Sequence, residues 1–404
     1  MEEKSPVYLV MVTTNNNNKY YRMIPHGDTF EAEYGRVGAS CQHASYSMSQ
    51  WNKKYNEKIK KGYVDQTHLV QDLIQKEKPR GKDGYKEIEN KVIAEIVQRL
   101  QDMAHQKIQA NYKVSSQQVT QAMVDEAQKV IDKLMQREEV EDFNNTLLEL
   151  FSVIPRKMGN VNDYLSRSKE DFARILKDEQ DLLDVMRGQV VTHTVQDESD
   201  TNDVEEKQET ILEAMGLEFE ETTEEDVRMI KSLLGDCRDK FYRAWRVKNI
   251  KTQKRFDEFV NKEHISKTKL LWHGSRNENW WSIINTGLVL RPTNAVITGK
   301  MFGFGIYYAP KARKSLGYTS LSGSYWARGN SNSAFMALMD VAYGKPYDVH
   351  SFDSKYYDFN YERLQKTCPG ANCLHAHAGS MLRNDEIIVY KEDQCTIKYL
   401  VELR

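Results

Sequence analysis

The pattern of apolar and polar positions changes twice along the chain, and each change indicates a new segment. The run VYLVMVTT at residues 7–14 predicts a β-strand, and the polar turn in NNNNKYYRMI at 15–24 leads into a second strand. The lysine-rich stretch at 47–63 predicts a helix that ends near Gly62. Together these elements predict a small β-rich domain over residues 1–75.

The second segment carries apolar residues at helical spacing and few glycines, which predicts an all-α bundle over residues 86–200. Within it, NNTLLELFSVIP at 144–155 offers an asparagine cap, an apolar stripe and a proline stop. Two charged stretches flank the bundle. Residues 75–87 combine proline, glycine and alternating charges and predict a linker, while the acidic residues 195–210 predict an exposed loop.

The third segment, residues 206–404, contains many short β-type runs and only a few helices. Its last run, EIIVYKEDQCTIKYLVEL at 386–403, predicts a hairpin of two alternating strands. This mixture predicts a largely antiparallel α+β domain.

Composition narrows the class of protein. The net charge of the 404 residues is −2, so a basic surface for nucleic acid must be local, such as the lysine-rich helix with Lys19 and Arg36. A solvated helix face is the alternative interpretation of that lysine run. No run reaches the about 18 apolar residues of a membrane span. The charged N-terminus lacks a secretory pattern, and five scattered cysteines fit a reducing cytoplasmic or nuclear compartment.

One loop combines residues of the types that bind zinc. KTCPGANCLHAH at 366–377 holds Cys368, Cys373, His375 and His377, but their spacing is not that of a standard zinc finger or ribbon. His375 and His377 are two residues apart and would point to one face of a strand. Metal binding by this loop stays open, and we assign no metal.

A strand-to-helix junction in the third segment is the first candidate site. In LLWHGSRNENWWSIINTGL at 270–288, a short apolar strand is followed by His273, Gly274 and Ser275, and then by a helix that should end at Gly287. Polar side chains and free backbone groups at such a junction can face a ligand. A capped turn with a hydrogen-bonded histidine is the alternative.

Three further blocks follow in the same segment. TGKMFGFGIYYAP at 298–310 contains Gly299, Gly303 and Gly305, which could cradle a phosphate or form a tight turn. KARKSLGYTS at 311–320 and LRNDEIIVY at 382–390 come next, and the latter places Glu386 at the start of an apolar strand. Burying a carboxylate there costs free energy unless it has a partner, and a capping or edge residue is the alternative.

The order of these four blocks resembles the catalytic domain of the poly(ADP-ribose) polymerases over the whole third segment. EAEYGRVGAS at 31–40 resembles the motif of the WGR domain, with Tyr34 at the position of the usual tryptophan. The helical segment resembles the autoinhibitory domain that precedes the catalytic domain in DNA-dependent members. The resemblance implies a multidomain α+β chain with a WGR-like DNA-binding domain at 1–75, a helical regulatory domain at 86–200 and a mixed α+β ADP-ribosyltransferase domain at 206–404.

The resemblance also implies which residues bind NAD, the substrate of this family. His273 would bond the adenosine ribose, and the backbone of Gly274 would bond the nicotinamide carboxamide together with the Ser315 hydroxyl. Tyr307 and Tyr318 would sandwich the nicotinamide ring. Ser275 would contact the adenosine side, as would Arg291, which lies two positions after the usual arginine position, here Val289.

Glu386 is the residue that the resemblance assigns to catalysis, where it would stabilise the positive charge at the reacting ribose. Lys314 would pair with it. His273, Tyr307 and Glu386 match the histidine–tyrosine–glutamate set of chain-elongating members. Lys300 departs from the family pattern, since many relatives carry an aromatic residue there.

We therefore expect an NAD-dependent, DNA-break-stimulated poly(ADP-ribose) polymerase of the nucleus. It would modify acceptor proteins, including itself, and would not associate with membranes. Arg36, with Tyr34 beside it, should contact DNA near a strand break. The alternatives are a mono-ADP-ribosyltransferase or NAD glycohydrolase on the same fold, and a catalytically silent scaffold that binds DNA ends.

Overall fold

The computed structural model describes residues 4–70, 85–112, 119–199, 209–291 and 300–404. The chain divides into two compact units. The first comprises the described parts of Met1–Lys82 and His105–His193, and the second those of Asp83–Ala104 and Thr194–Arg404. The predicted division into three domains stays a prediction. None of the described helices is both long enough and apolar enough to cross a bilayer.

The first unit contains an antiparallel five-stranded sheet in the order β4-β3-β2-β1-β5. Its strands are β1 Val7–Thr13, β2 Asn17–His26, β3 Thr29–Arg36, β4 Gln42–Ser47 and β5 Val64–Asp65. Helix α1, Trp51–Lys60, packs on one face through Trp51, whose ring contacts Phe30. Alternate residues of β1 to β3 are buried beneath it, as the period of two requires.

Four longer helices follow, as the helical spacing predicted. They are α2 Lys91–Asn111, α3 Gln121–Leu134, α4 Val140–Val153 and α5 Phe172–Ser199. Thr120 caps α3 by accepting from the Met123 N–H at 3.1 Å, and its hydroxyl donates to the Leu69 carbonyl at 2.6 Å. The helical part and the sheet of the first unit are therefore joined by buried hydrogen bonds.

Two local predictions about these helices are wrong. Helix α4 begins at Val140 with Glu139 as its N-cap, so the asparagines at 144 and 145 lie inside the helix. The Asn144 side chain instead exchanges two hydrogen bonds with the backbone of Ser166, at 2.8 and 2.9 Å. The acidic stretch at 195–210, which was predicted to be an exposed loop, begins as helix, because α5 continues to Ser199. Residues 200–208, and residues 75–84 of the predicted linker, lie outside the described residues.

The second unit contains two sheets. A five-stranded sheet has the order β6-β7-β14-β10-β8, and a four-stranded sheet has the order β11-β12-β13-β9. All pairs are antiparallel except β11 with β12. The strands are β6 Leu217–Glu221, β7 Phe241–Asn249, β8 Lys269–Gly274, β9 Ile306–Tyr308, β10 Ala334–Val341, β11 Pro346–Val349, β12 Cys373–Ala376, β13 Glu386–Val389 and β14 Cys395–Leu403.

Short helices surround these sheets. They are α6 Ile211–Met215, α7 Glu224–Leu234, α8 Ile250–Lys262, α9 Trp280–Thr286, α10 Ala312–Leu316 and α11 Tyr361–Thr367. The predicted strand and helix around His273 are present, and Gly287 ends α9 with φ of 80°. The mixed, multidomain α+β class predicted from the sequence is confirmed.

The predicted C-terminal hairpin is wrong, because β13 and β14 belong to different sheets. Gln394 lies fully buried in the turn between them. Its side-chain oxygen accepts from the Tyr390 and Lys391 N–H groups, and its amide donates to the Asn372 carbonyl at 2.7 Å. These bonds hold the bend that carries the chain from one sheet to the other.

Candidate active site

The end of β8 brings His273 and Gly274 to the point where the two sheets meet. Trp272 and Ala309 exchange backbone hydrogen bonds at 2.9 and 3.0 Å, which joins β8 to the segment after β9. The His273 Nδ1 lies 3.1 Å from the Tyr307 carbonyl oxygen. Because a carbonyl only accepts, Nδ1 carries the proton and donates. The other ring nitrogen is then an acceptor for a ligand hydroxyl.

Burial lowers the pKa of His273 to about 4, with the nearby Lys300 charge acting in the same direction and the bond to the Tyr307 carbonyl opposing it. The ring also meets the Trp280 and Tyr308 rings edge-on, with centroids 6.4 and 5.9 Å away. His273 is therefore a neutral imidazole of fixed orientation at neutral pH.

Gly274 has no room for a side chain. A Cβ built there would lie 2.0 Å from the Ser315 carbonyl oxygen and 2.8 Å from its carbon. The Ser315 hydroxyl donates to the Trp272 carbonyl at 3.0 Å, so α10 is fixed directly against the end of β8. The glycine is thus required by the approach of two backbones.

Tyr307 is held by the glycine-rich turn before it. Its hydroxyl donates to the Gly303 carbonyl at 3.1 Å and accepts from the Phe302 N–H at 3.0 Å. Gly303 has φ of 69°, and a Cβ on it would lie 2.2 Å from the Phe359 carbonyl oxygen. Two interpretations were open for these glycines, a phosphate cradle and a tight turn. Gly303 and Gly305 form the tight turn, and Gly299 lies outside the described residues. Lys300 Nζ lies 5.4 Å from the centre of the Tyr307 ring.

Glu386 begins β13, between β12 and β9 in the four-stranded sheet. Its carboxylate forms an ion pair with Lys314 of α10, and the two side chains are only 12% and 14% exposed. This partner offsets part of the free-energy cost of burying the carboxylate. This is the pair that the family resemblance implies, and the two side chains are in contact.

Two tyrosines border this ion pair. Burial, with the Glu386 charge adding to it, raises the pKa of Tyr318 to about 12. Burial, opposed by the Phe302 N–H and assisted by Glu386, raises the pKa of Tyr307 above its ordinary value. Both side chains are therefore neutral phenols at neutral pH, beside one carboxylate. The site combines a flat aromatic boundary with an anionic group, which suits a flat cationic ring.

Ser275 and Arg291 lie at the edges of this cluster. The Ser275 hydroxyl accepts from the Asn279 side-chain amide at 3.0 Å. Arg291 is half-buried and directly precedes residues 292–299, which lie outside the described residues. The Leu290 N–H donates to Glu392 at 2.9 Å, which fixes the chain just before Arg291.

An aromatic pair that was not predicted from the sequence lies beside Tyr318. The Trp326 ring stacks on Tyr318 with centroids 6.2 Å apart, and Tyr325 meets Trp326 edge-on at 4.7 Å. Tyr325 is 77% exposed and Trp326 58%. Two adjacent large aromatics in the serine- and glycine-rich stretch 320–333 were the available signal.

In the first unit, Arg36 makes four hydrogen bonds. It donates to the Asn16 carbonyl and side chain at 2.8 and 2.9 Å, and to the carbonyls of Met158 and Gly159 at 3.2 and 2.8 Å. It therefore joins β3 to the loop after α4. The Tyr34 ring packs on Tyr21 with centroids 5.6 Å apart, and its place beside DNA stays a prediction.

Comparison with known proteins identifies two domains in this chain. The model of the poly(ADP-ribose) polymerase catalytic domain matches residues 224–404, and that of the WGR domain matches residues 5–70. A putative poly [ADP-ribose] polymerase-like protein 100L of Invertebrate iridescent virus 6 is 32% identical over 168 residues, covering 41% of this chain and 87% of that protein. An uncharacterized protein 101L of the same virus is 32% identical over 232 residues, covering 56% of this chain and 94% of that protein.

Human poly [ADP-ribose] polymerase 2 is 40% identical over 84 residues, which cover 21% of this chain and 13% of that protein. The fold and the matches define an enzyme that transfers ADP-ribose from NAD. The chain belongs to the poly(ADP-ribose) polymerase family and carries a WGR domain with its catalytic domain. The predicted enzyme class and the prediction of NAD as substrate are confirmed.

Proposed function

We propose that this enzyme builds ADP-ribose chains, that DNA strand breaks stimulate it, and that it acts in the nucleus on proteins including itself. The observation that carries the first part is the ion pair of Glu386 with Lys314 beside Tyr307. The carboxylate is held in place, little exposed, and next to a neutral aromatic ring. His273, Tyr307 and Glu386 correspond to the chain-elongating set named above.

The chemistry assigned to these residues follows from their charges. The bond between the nicotinamide nitrogen and the ribose breaks, and its electron pair leaves with nicotinamide. Positive charge develops on the ribose carbon, where the Glu386 carboxylate would stabilise it. The same carboxylate can accept a hydrogen bond from the acceptor hydroxyl, which bonds to the ribose carbon and gives its proton to the carboxylate.

Binding would use the groups whose positions are already fixed. Neutral His273 would accept from a ribose hydroxyl of NAD at its free ring nitrogen, and the backbone of Gly274 would bond the carboxamide. The Ser315 hydroxyl, whose proton goes to the Trp272 carbonyl, would accept from the carboxamide N–H. Tyr307 and Tyr318 hold the nicotinamide ring between flat faces. Arg291 would serve the adenosine side together with Ser275.

The deciding experiment incubates the chain with labelled NAD, with and without nicked DNA, and resolves the products by size. We expect long chains that increase when DNA is added. Single units would indicate a mono-ADP-ribosyltransferase, free ADP-ribose an NAD glycohydrolase, and unchanged NAD a silent scaffold. Any of these three results would reject chain growth.

DNA binding is assigned to the WGR domain, with Arg36 near a phosphate. Its four bonds to Asn16, Met158 and Gly159 also make it a link to the helical part of the same unit. Variants Arg36→Ala and Arg36→Lys separate the two roles, because lysine keeps the charge but cannot reproduce the guanidinium fork. If Arg36 contacts a phosphate, Arg36→Ala should lower the slope of log affinity for nicked DNA against log salt concentration by about one, and Arg36→Lys should leave that slope unchanged.

Arg22, which faces Glu33 on the same sheet, provides the control variant Arg22→Ala. If Arg36→Ala binds nicked DNA as the intact protein does across the salt titration, Arg36 is not a DNA contact. If both Arg36 variants bind DNA normally but lose stimulation, the residue transmits the signal through the loop at 158–159 instead.

The helical segment is proposed as an inhibitor of basal activity, which DNA binding relieves by favouring an open state. Removing residues 86–188 should raise basal activity and abolish DNA dependence. A better deletion keeps Arg99, which forms two bonds of 3.0 and 3.1 Å with the fully buried Glu402 inside the second unit. Removing residues 105–193 therefore keeps both Arg99 bonds to this buried carboxylate, which Arg404 contacts only at 3.4 Å. A folded deletion protein that stays inactive without DNA would reject autoinhibition.

A further inference from the structure

Four polar side chains form a compact group on one face of the four-stranded sheet. Strands β11 and β12 are parallel with Asp348 opposite His375, and the bond of 2.9 Å from the His377 N–H to the Val349 carbonyl continues this register. Because side chains alternate between faces, Asp348 and His350 share a face with His375 and His377. The His375 and His377 rings stack at 3.9 Å, and His350 stacks on His377 at 4.4 Å.

Three of these residues place potential ligand atoms close together. Asp348, His375 and His377 each offer one atom, and the three atoms lie within 4.8 Å of one another. The Asp348 Oδ1 lies 2.6 Å from the His377 Nε2 and 3.8 Å from the His375 Nδ1. Tetrahedral zinc with bonds of about 2.0–2.2 Å separates its ligand atoms by about 3.3 Å. The two observed separations lie on either side of that value, so small side-chain rotations would suffice.

The surroundings include a carboxylate that can orient the less exposed histidine. Asp385 lies 3.0 Å from the His375 Nε2, and its other oxygen accepts from the Ala378 N–H at 2.8 Å. A histidine that donates one ring N–H to a carboxylate and gives the other nitrogen to a metal is a common arrangement at zinc sites. The Tyr343 hydroxyl lies 2.9 Å from the His375 Nδ1, so an ion bound there would displace that contact.

The cysteines of the loop take no part in this group. The Cys373 thiol donates to the Tyr343 carbonyl at 3.2 Å and is buried. The ligand set is therefore two imidazoles and one carboxylate, with His350 beside it. Imidazole nitrogens select first-row transition ions, whereas magnesium and calcium require oxygen ligands.

We propose that Asp348, His375 and His377 bind one divalent transition-metal ion, with zinc the ion that the ligand set fits best. The ion would fasten β11 to β12 on the sheet that carries Glu386. An alternative without any metal is a network of histidine–aspartate hydrogen bonds, and the experiment below distinguishes the two.

The test uses the full chain, stripped with a chelator and titrated with cobalt(II), which reports its coordination by visible absorption. We expect one ion per chain with the spectrum of a four- or five-coordinate site, displaced by zinc in calorimetry. Asp348→Asn and His377→Gln change partly exposed side chains and should each weaken binding at least tenfold. Circular dichroism establishes that both variants are folded, and zinc should raise the Tm of the unmodified chain but not that of either variant.

A control variant tests whether cobalt binds instead to another group of possible ligands, which includes Cys41, His43 and Glu31. Cys41 Sγ lies 3.2 Å from His43 Nε2, and His43 Nδ1 lies 2.7 Å from Glu31. The double variant Cys41→Ser, His43→Ala should therefore keep the cobalt spectrum and affinity. The proposal is overturned if the unmodified chain binds no cobalt, if the Asp348 and His377 variants bind as it does, or if the control variant alone loses the ion.

Discussion

Replacing Gly274 by alanine gives the sharpest test of how the site is built. The added Cβ would lie 2.0 Å from the Ser315 carbonyl oxygen, where ordinary contact begins at 3.4 Å, so the two must separate by 3.4 − 2.0 = 1.4 Å. Neither side moves easily. Gly274 pairs with Met336 in the five-stranded sheet, and Ser315 belongs to α10, which is bonded to Trp272.

The size of the effect follows from that displacement. Overpacking of this kind costs about 1–3 kcal/mol of unfolding free energy. Misplacing a binding group by about 1 Å can cost about 100-fold in rate. Because the displacement lies between the two groups assigned to the carboxamide, we expect kcat/KM for NAD to fall about 100-fold while the protein remains folded.

Nicotinamide release from labelled NAD measures the rate, and urea unfolding measures the stability. Gly379→Ala is the matched control, since a Cβ there meets no atom within 4 Å and the residue has no positive φ. The control should retain full activity. If Gly274→Ala keeps activity and stability within twofold of the unmodified chain, the close approach of the two backbones does not determine substrate binding.

Three further predictions concern the fold and the neutral histidine. Asp226→Asn should destabilise by about 1–3 kcal/mol at pH 7, because that buried carboxylate accepts from the partly exposed Arg246 guanidinium at 2.8 and 3.1 Å. Burial opposes this bond but the donors prevail, so the pKa of Asp226 is lowered. Its stabilisation is complete above its unfolded pKa and declines below it, until it is lost as pH falls through the folded pKa. Urea unfolding should therefore show the full difference between the two proteins at pH 7 and a shrinking difference as pH is lowered below about 4. Burial lowers the pKa of His273 from 6.5 to about 4. The contribution of this residue to stability is therefore complete above pH 6.5 and declines as pH falls toward 4. In NMR, the ring signal of His273 should not titrate near pH 6.5. Gly303→Ala should lower thermal stability more than Gly379→Ala does, since its Cβ meets the Phe359 carbonyl at 2.2 Å with φ of 69°.

Much of the framework of the candidate site could be predicted because its strands and helix are local in sequence. The strand that ends at Gly274, the helix that ends at Gly287 and the strand that begins at Glu386 all follow from short patterns of apolar residues and glycine. The pairing of Lys314 with Glu386 came from the resemblance, and a little-exposed carboxylate at the start of a strand needs such a partner.

The features that the sequence did not reveal depend on contacts between distant residues. Two neighbouring β-type runs look like a hairpin unless one knows that the buried Gln394 holds a bend between two sheets. Asn144 resembles a helix cap in the sequence, but its side-chain amide donates to the Ser166 carbonyl and accepts from the Ser166 N–H. Likewise, no local pattern joins Asp348 to His375, because only the parallel pairing of β11 and β12 brings them together.

The role of Glu386 needs a test that separates charge from packing. Glu386→Gln should remove chain formation and leave NAD binding largely intact, because the carboxylate acts on the developing charge and the tyrosines bind the ring. The substitution also leaves Lys314 as a little-exposed cation without its partner, and breaking such a pair costs about 3 kcal/mol. If only Glu386→Gln is measured, a loss of activity has two explanations: the missing carboxylate and the destabilisation caused by the unpaired Lys314.

The double variant Glu386→Gln, Lys314→Met resolves them. Methionine fills a similar volume without a charge, so the double variant should recover most of the stability that Glu386→Gln loses. It should not recover chain formation, because the carboxylate is still absent. Calorimetry with NAD, urea unfolding and product sizing on the single and double variants give the complete cycle. If the double variant builds chains at the rate of the unmodified enzyme, Glu386 serves only to neutralise Lys314, and its assignment to the reacting ribose is wrong.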